Sequence, residues 1–332
     1  MEEKVLVTGG AGYVGSHVCR ALAGQGYQPV CVDTLENGHR WAVRWGALET
    51  VDTRDESGLA TVFATHRPIA VMHFAGYIQV GESVRQPLAY YRNNIEGITA
   101  LLSVMRRFSV EPFVFSSTAA VYGVPDVSPI PETHPVRPMN PYGASKATSE
   151  RILFDLSAAG AIRAAALRYF NAAGASPEGE IGEAHSPETH LIPNAIRAVH
   201  DPDFTLDVFG SDFETRDGTA VRDYIHVCDL ASAHVGALAY LLDGGQTRAF
   251  NLGTGHGATV SEVLDACGRT LGRAPKHRVA DRRPGDPPAL VADPALAQEL
   301  LGWQPRMSDL ERIVETAERW EVSHRIAPRG ER

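Results

Sequence analysis

The chain has 332 residues, enough for a large core and a second lobe. Its 44% hydrophobic and 21% charged content is that of a globular protein, and a net charge of -9 argues against a nucleic-acid-binding surface. No apolar run is long enough to span a bilayer and no signal peptide precedes the first apolar segment, so no membrane partner and a cytoplasmic location are expected.

Residues 4–8 read as a buried strand, and Gly9, Gly12 and Gly15 follow it into an amphipathic stretch that reaches about residue 25. In this order, strand then glycine turn then helix, Gly9 and Gly12 permit a tight turn and the approach of a pyrophosphate. Gly15 lets the helix pack closely on the strand, and the helix N-terminus offers its amides to the phosphates. Residues 29–33 read as the next strand and end in Asp33. A carboxylate there accepts hydrogen bonds from an adenosine ribose and repels a 2′-phosphate, which favours NAD over NADP. Cys19 and Cys31 fall inside these elements. With Cys228 and Cys267 they make no CxxC pair, and the 13 histidines form no HExxH pattern, so no metal site is expected.

Further strand-like runs lie at 69–74, 112–117 and 162–169, with helical patterns at 56–66, 93–108 and 141–159. This alternation predicts an α/β fold, a Rossmann-type doubly wound parallel sheet. Ligands then bind beyond the carboxyl ends of the strands, where Gly9, Asp33, Asp52, Ala75, Ser116 to Thr118 and Asn171 fall. Past residue 171, loops rich in Gly, Pro, Asp and Glu alternate with helices near 189–200, 229–243, 259–271 and 308–324. The expected organisation is a NAD-binding domain over 1–171 and a smaller mixed α/β substrate lobe over 172–332, some of whose segments return to the sheet.

Within the 141–159 helix, Tyr142 and Lys146 lie one turn apart on one face, behind Asn140 as N-cap and Pro141 as first residue. The ammonium favours the phenolate. Lowering a phenol from about 10 to about 7 takes roughly 4 kcal/mol. One charge about 5 Å away supplies roughly 3 kcal/mol at an effective dielectric of about 20. A second cation, such as an oxidised nicotinamide ring, makes up the difference.

Several segments, TGGAGYVG (8–15), FSSTAAVYG (115–123), PYGASK (141–146), LRYFN (167–171) and VRDYIH (221–226), resemble the UDP-glucose 4-epimerases, a family of extended short-chain dehydrogenases/reductases. HFAG (73–76), VGES (80–83) and RRPGD (282–286) continue the likeness, which spans nearly the whole chain in order.

The resemblance implies reversible C4 epimerisation of UDP-glucose and UDP-galactose through a 4-keto sugar, with NAD as a retained cofactor. Tyr142 is then the base, Lys146 lowers its pKa and binds the nicotinamide ribose, and Thr118 bridges the sugar 4-oxygen and the tyrosine. Cofactor contacts fall to Gly9, Gly12, Tyr13, Val14, Gly15, Asp33, Asp52, Phe74, Ala75, Asn94, Ser116 and Lys146. Substrate contacts fall to Thr118, Tyr142, Asn171, His190, Leu191, Phe209, Arg222, Arg283, Asp286 and Leu290. The arginines meet the diphosphate, Asp286 the uridine ribose and Phe209 the uracil. Ala119 and Ala120 stand where related 4,6-dehydratases carry an Asp-Glu pair, so elimination is not expected. Three positions depart from the best-known members: Ile78 where some have lysine, His190 where asparagine is frequent, and Leu290 where a tyrosine narrows the sugar pocket. Leu290 keeps open an alternative substrate, such as a UDP-N-acetylhexosamine, UDP-pentose or UDP-uronic acid. The family also implies a homodimer through the helices near 93–108 and 141–159.

Overall fold

The structure is a computed structural model that describes residues 3–283 and 286–326. Among these, seven parallel strands form the central sheet: β1 (Lys4–Thr8), β2 (Gln28–Val32), β3 (Ala47–Glu49), β4 (Ala70–His73), β5 (Pro112–Thr118), β6 (Arg163–Tyr169) and the strand Arg248–Leu252. Their spatial order is Arg248–Leu252, β6, β5, β4, β1, β2, β3. The winding reverses at β1, which has β4 on one side and β2 on the other, so the crevice lies beyond its carboxyl end.

Alternation along each strand feeds two cores. Val5, Val7, Ala70, Met72, Val114, Ala165 and Leu167 face one layer, covered by the helices Tyr13–Gly24 and Val227–Leu242. Leu6, Val71, Phe113, Phe115, Ala164 and Ala166 face the other, covered by Glu56–His66, Gly97–Arg107 and Pro141–Ala158. A third core, with Ile192, Ile196, Val208, Val263, Ile313 and Val314, belongs to the later lobe. There the helices Leu191–His200, Val260–Leu271 and Leu310–Glu321 enclose a parallel pair of strands, Leu206–Phe209 and His277–Ala280. No helix among the described residues is long and apolar enough to cross a membrane.

Two sheet strands had no clear sequence signal. β3 has three residues, too few to show a period. Arg248–Leu252 pairs with the outer edge of β6, and the preceding helix Val227–Leu242 packs on the same sheet. Residues 227–252 therefore belong to the central layers although they follow residue 171. The helical pattern near 93–108 resolves into a π-helical turn, Arg92–Glu96, running into Gly97–Arg107.

Candidate active site

Gly9 sits at φ 70°, where a Cβ would come within 2.6 Å of the Ala75 amide nitrogen. A Cβ on Gly15 would meet the Gly9 carbonyl oxygen at 2.2 Å. The two glycines thus let β1, the turn after β4 and the first helix close on one another. Gly12 caps that helix without a side-chain hydrogen bond, which leaves the first-turn amides to an anion. Tyr13 donates to the Gly174 carbonyl at 2.6 Å, while Val14 is half-buried in the same turn. Asp33 follows β2 and accepts from the amides of Ala11 (3.1 Å) and Leu35 (2.9 Å). Burial pushes its pKa up, against those two hydrogen bonds. A nucleotide cofactor fits this cradle, whose floor is backbone and whose one carboxylate stands at the end of β2.

Three other cofactor candidates are engaged with protein. Asn94, in the π-helical turn, accepts from the Tyr77 amide (2.8 Å) and donates to the Tyr77 carbonyl (3.1 Å) and Ser145 (2.9 Å), so it shapes the turn after β4. Phe74 packs on His234 with centroids 4.8 Å apart. Asp52, after β3, is held by Arg54 at 2.9 Å on the surface.

The helix Pro141–Ala158 begins as its sequence predicts. Asn140 accepts from the Gly143 amide at 2.8 Å and Pro141 is the first helical residue. Tyr142 follows, half-buried at the cleft. Burial raises its pKa and a hydrogen bond with Thr118 lowers it, with a net rise. Lys146, 3% exposed, donates to the Ser116 carbonyl at 2.8 Å and lies 4.9 Å from the centre of the Phe115 ring. Burial lowers its pKa to about 8, opposed by the charge of Glu150. At the phenol, then, burial outweighs the Thr118 hydrogen bond, in keeping with the need for a further cation. The Ser116 hydroxyl pairs with the Tyr169 hydroxyl at 2.5 Å.

On the substrate side, Arg222 pairs with Asp286 and also donates to the Val221 carbonyl at 2.7 Å. Arg283 lies 3.9 Å over the Phe209 ring. Asn171 reaches the Asp223 carbonyl at 3.2 Å. Leu290, like Phe170 and Ala147, packs against the small core formed by Ala119, Val121, Tyr122 and Ile130. Leu191 opens the helix Leu191–His200, and His190 precedes it in ion pairs with Glu183 (2.6 Å) and Glu188 (2.8 Å). Those partners raise the His190 pKa to about 10 against burial.

Sequence reasoning missed two supports. Glu150 lies one turn beyond Lys146 on the same face, buried, and receives Ser117 (2.5 Å) and the Arg168 guanidinium (2.5 Å). This pair pins the helix Pro141–Ala158 to β5 and β6, and the spacing of Tyr142, Lys146 and Glu150, each four residues on, was its available signal. The second is Asp223, fully buried, which accepts from Thr254, Gly255 and Ala292 and so joins three loops. It lies within the VRDYIH segment, but nothing local marks its distant partners.

Comparison with known proteins agrees with this geometry. The profile of the NAD dependent epimerase/dehydratase family matches residues 5–253. A UDP-glucose 4-epimerase of Rhizobium meliloti (strain 1021) is 52% identical over 316 residues, covering 95% of this chain and 96% of that protein. The crystal structure of UDP-glucose 4-epimerase from Brucella ovis in complex with NAD aligns with a TM-score of 0.93 at 49% identity, covering 95% of this chain and 97% of that one. The enzyme from Stenotrophomonas maltophila, with bound NAD and formylated UDP-arabinopyranose, aligns with a TM-score of 0.95 at 41% identity, covering 98% and 100%. The chain belongs to the NAD dependent epimerase/dehydratase family, and nearly all of its length is similar to UDP-glucose 4-epimerases.

Proposed function

We propose that the chain interconverts UDP-glucose and UDP-galactose by inverting the sugar at C4, using NAD. The observation that carries this reading is the grouping of Thr118, Tyr142 and Lys146 at the carboxyl edge of β5, followed by Ala119 and Ala120. When bound, NAD supplies the hydride acceptor and donor for C4 and a positive ring charge. Gly9, Gly12, Gly15 and Asp33 hold it, with the amides of Tyr13 and Val14 toward its diphosphate. Tyr142 takes the proton of the 4-hydroxyl and later returns it. Thr118 shares its hydrogen bond between the phenol and the 4-oxygen. Lys146 holds its ammonium on the Ser116 carbonyl, one helical turn from Tyr142, and Glu150 helps keep it charged. Ala119 and Ala120 offer neither acid nor base for elimination, so the oxidised sugar is reduced again rather than dehydrated.

In this reading Arg222 and Arg283 bind the diphosphate as planar charged forks, Asp286 the uridine ribose, Phe209 the uracil, Asn171 a sugar or phosphate oxygen, and the backbone at His190 and Leu191 the uridine. Residues 1–171 form the cofactor domain and most of 172–332 the substrate lobe. The protein works in the cytoplasm, in keeping with four free cysteines. Val80, Val84 and Leu88, up to 62% exposed beside the helix Pro141–Ala158, form an apolar face for a second copy. Light scattering at working concentration should return a dimer; a monomer overturns that part.

The reading is tested by incubating purified protein with UDP-galactose, with no NAD added. Formation of UDP-glucose is expected, and silence even after NAD is supplied would sink the assignment.

A further inference from the structure

The segment before the helix Leu191–His200 gathers four side chains that the epimerase reaction does not require. The Glu183 carboxylate receives Nδ1 of His185 at 3.0 Å and Nδ1 of His190 at 2.6 Å, and Glu188 receives the same His190 nitrogen at 2.8 Å. One donor atom from each of the four lies within 4.8 Å of the others. Both glutamate side chains are 7% exposed. The second carboxylate oxygen of Glu188 is buried and has no hydrogen-bond partner.

We propose that Glu183, His185, Glu188 and His190 form a binding site for a divalent cation of the zinc type. Two imidazole nitrogens and two carboxylate oxygens are a donor set that suits zinc, and four such ligands make a closed, structural coordination shell. A tetrahedron with bonds of about 2.1 Å has edges of about 3.4 Å. To reach it the close pairs, at 2.6 to 3.0 Å, open by less than an ångström, and the remaining pairs, within 4.8 Å, close by up to about 1.4 Å. Charge points the same way. Without an ion the His190 imidazolium offsets part of the charge of the two buried carboxylates, and a dication taking the place of its proton neutralises both. The unpartnered Glu188 oxygen is a ligand atom this carboxylate can offer without giving up a hydrogen bond. The spacing Glu-x-His-x-x-Glu-x-His differs from the common histidine motifs, which is why no metal was expected from it.

The site lies against the cofactor turn: the His185 and Tyr13 rings are 6.5 Å apart, and the charge of Glu183 acts on the Tyr13 phenol. A bound ion clamps the 183–190 segment to the start of the following helix, and the His190 side chain then faces the ion while its backbone remains free for the nucleotide.

The test strips the full-length protein with a chelator and titrates it with Co2+ under visible spectroscopy. One equivalent with the intense bands of tetrahedral Co2+, displaced by Zn2+, is the expected result. Glu183→Gln and His185→Gln should each weaken that equivalent at least tenfold, with circular dichroism checking that each variant is folded. His185 is the more exposed of the two, so its variant carries the test if the other unfolds. Absence of tetrahedral Co2+ in the unaltered chain, or undiminished binding in a folded variant, overturns the proposal.

Discussion

On the cofactor side of the cleft, the geometry is set by main chain packed against main chain: Gly9 against Ala75, Gly15 against Gly9, and Asp33 fixed by two amides. On the substrate side, the candidate groups satisfy one another instead. Arg222 is paired with Asp286, and Arg283 covers Phe209. A nucleotide cofactor meets a finished cradle, so little ordering remains to oppose its binding. A nucleotide sugar must exchange internal partners for its own phosphates and ribose. The site that has to let a sugar turn is the one whose contacts are exchangeable.

Four variants break or sharpen this contrast. Tyr142→Phe removes the proposed base and nothing from the cradle; turnover should fall by roughly 10²- to 10⁴-fold while copurified NAD stays stoichiometric by absorbance. A variant retaining full turnover would reassign the base.

Lys146→Met separates function from stability. With its pKa lowered from 10.5 to about 8, the buried lysine costs the unliganded fold up to about 3 kcal/mol. The sign follows from proton binding. Below pH 8 the cost is carried in full. Between pH 8 and 10.5 the unfolded chain still holds a proton that the folded chain has released, so stability rises with pH. Denaturant melts should therefore show the variant more stable at pH 7, with the gain gone near pH 10.5, alongside a large loss of turnover. A variant less stable at pH 7 would show that the Ser116 and Phe115 contacts outweigh burial.

Arg222→Ala leaves Asp286 without its partner and removes a diphosphate fork. A hydrogen bond to a charged group is worth about 1.5–3 kcal/mol, so KM for the UDP-sugar should rise by roughly 10- to 100-fold with NAD retention intact. Parallel loss of NAD would show that the two sides are not independent. Gly15→Ala should destabilise by about 1–3 kcal/mol through overpacking, because the added methyl meets a carbonyl rather than a movable side chain. It should also release NAD on gel filtration, which separates it from the Arg222 variant.

The cofactor side was legible because its information is local. Gly9 to Gly15 and Asp33 lie within one strand–turn–helix–strand unit, and Asn140 to Lys146 within two helical turns. What escaped depends on distant partners. The pairing of Arg248–Leu252 with β6 spans 79 residues in sequence, counted from Tyr169 to Arg248. The role of Asp223 is visible only once residues 254, 255 and 292 converge on it. The histidines showed no metal pattern because His185 and His190 are joined through Glu183 and Glu188 rather than through a helical repeat.

The late arrival of Arg248–Leu252 bears on how the molecule is made. A ribosome releases β1 to β6 long before the strand that completes the sheet, and until then β6 presents a bare row of amides and carbonyls at the edge. The nascent chain therefore passes through a window in which its nucleotide-binding half is nearly built yet still adhesive. A chain ended at residue 171 would be trapped in that window, prone to pair with its neighbours rather than to stand alone as a nucleotide-binding fragment.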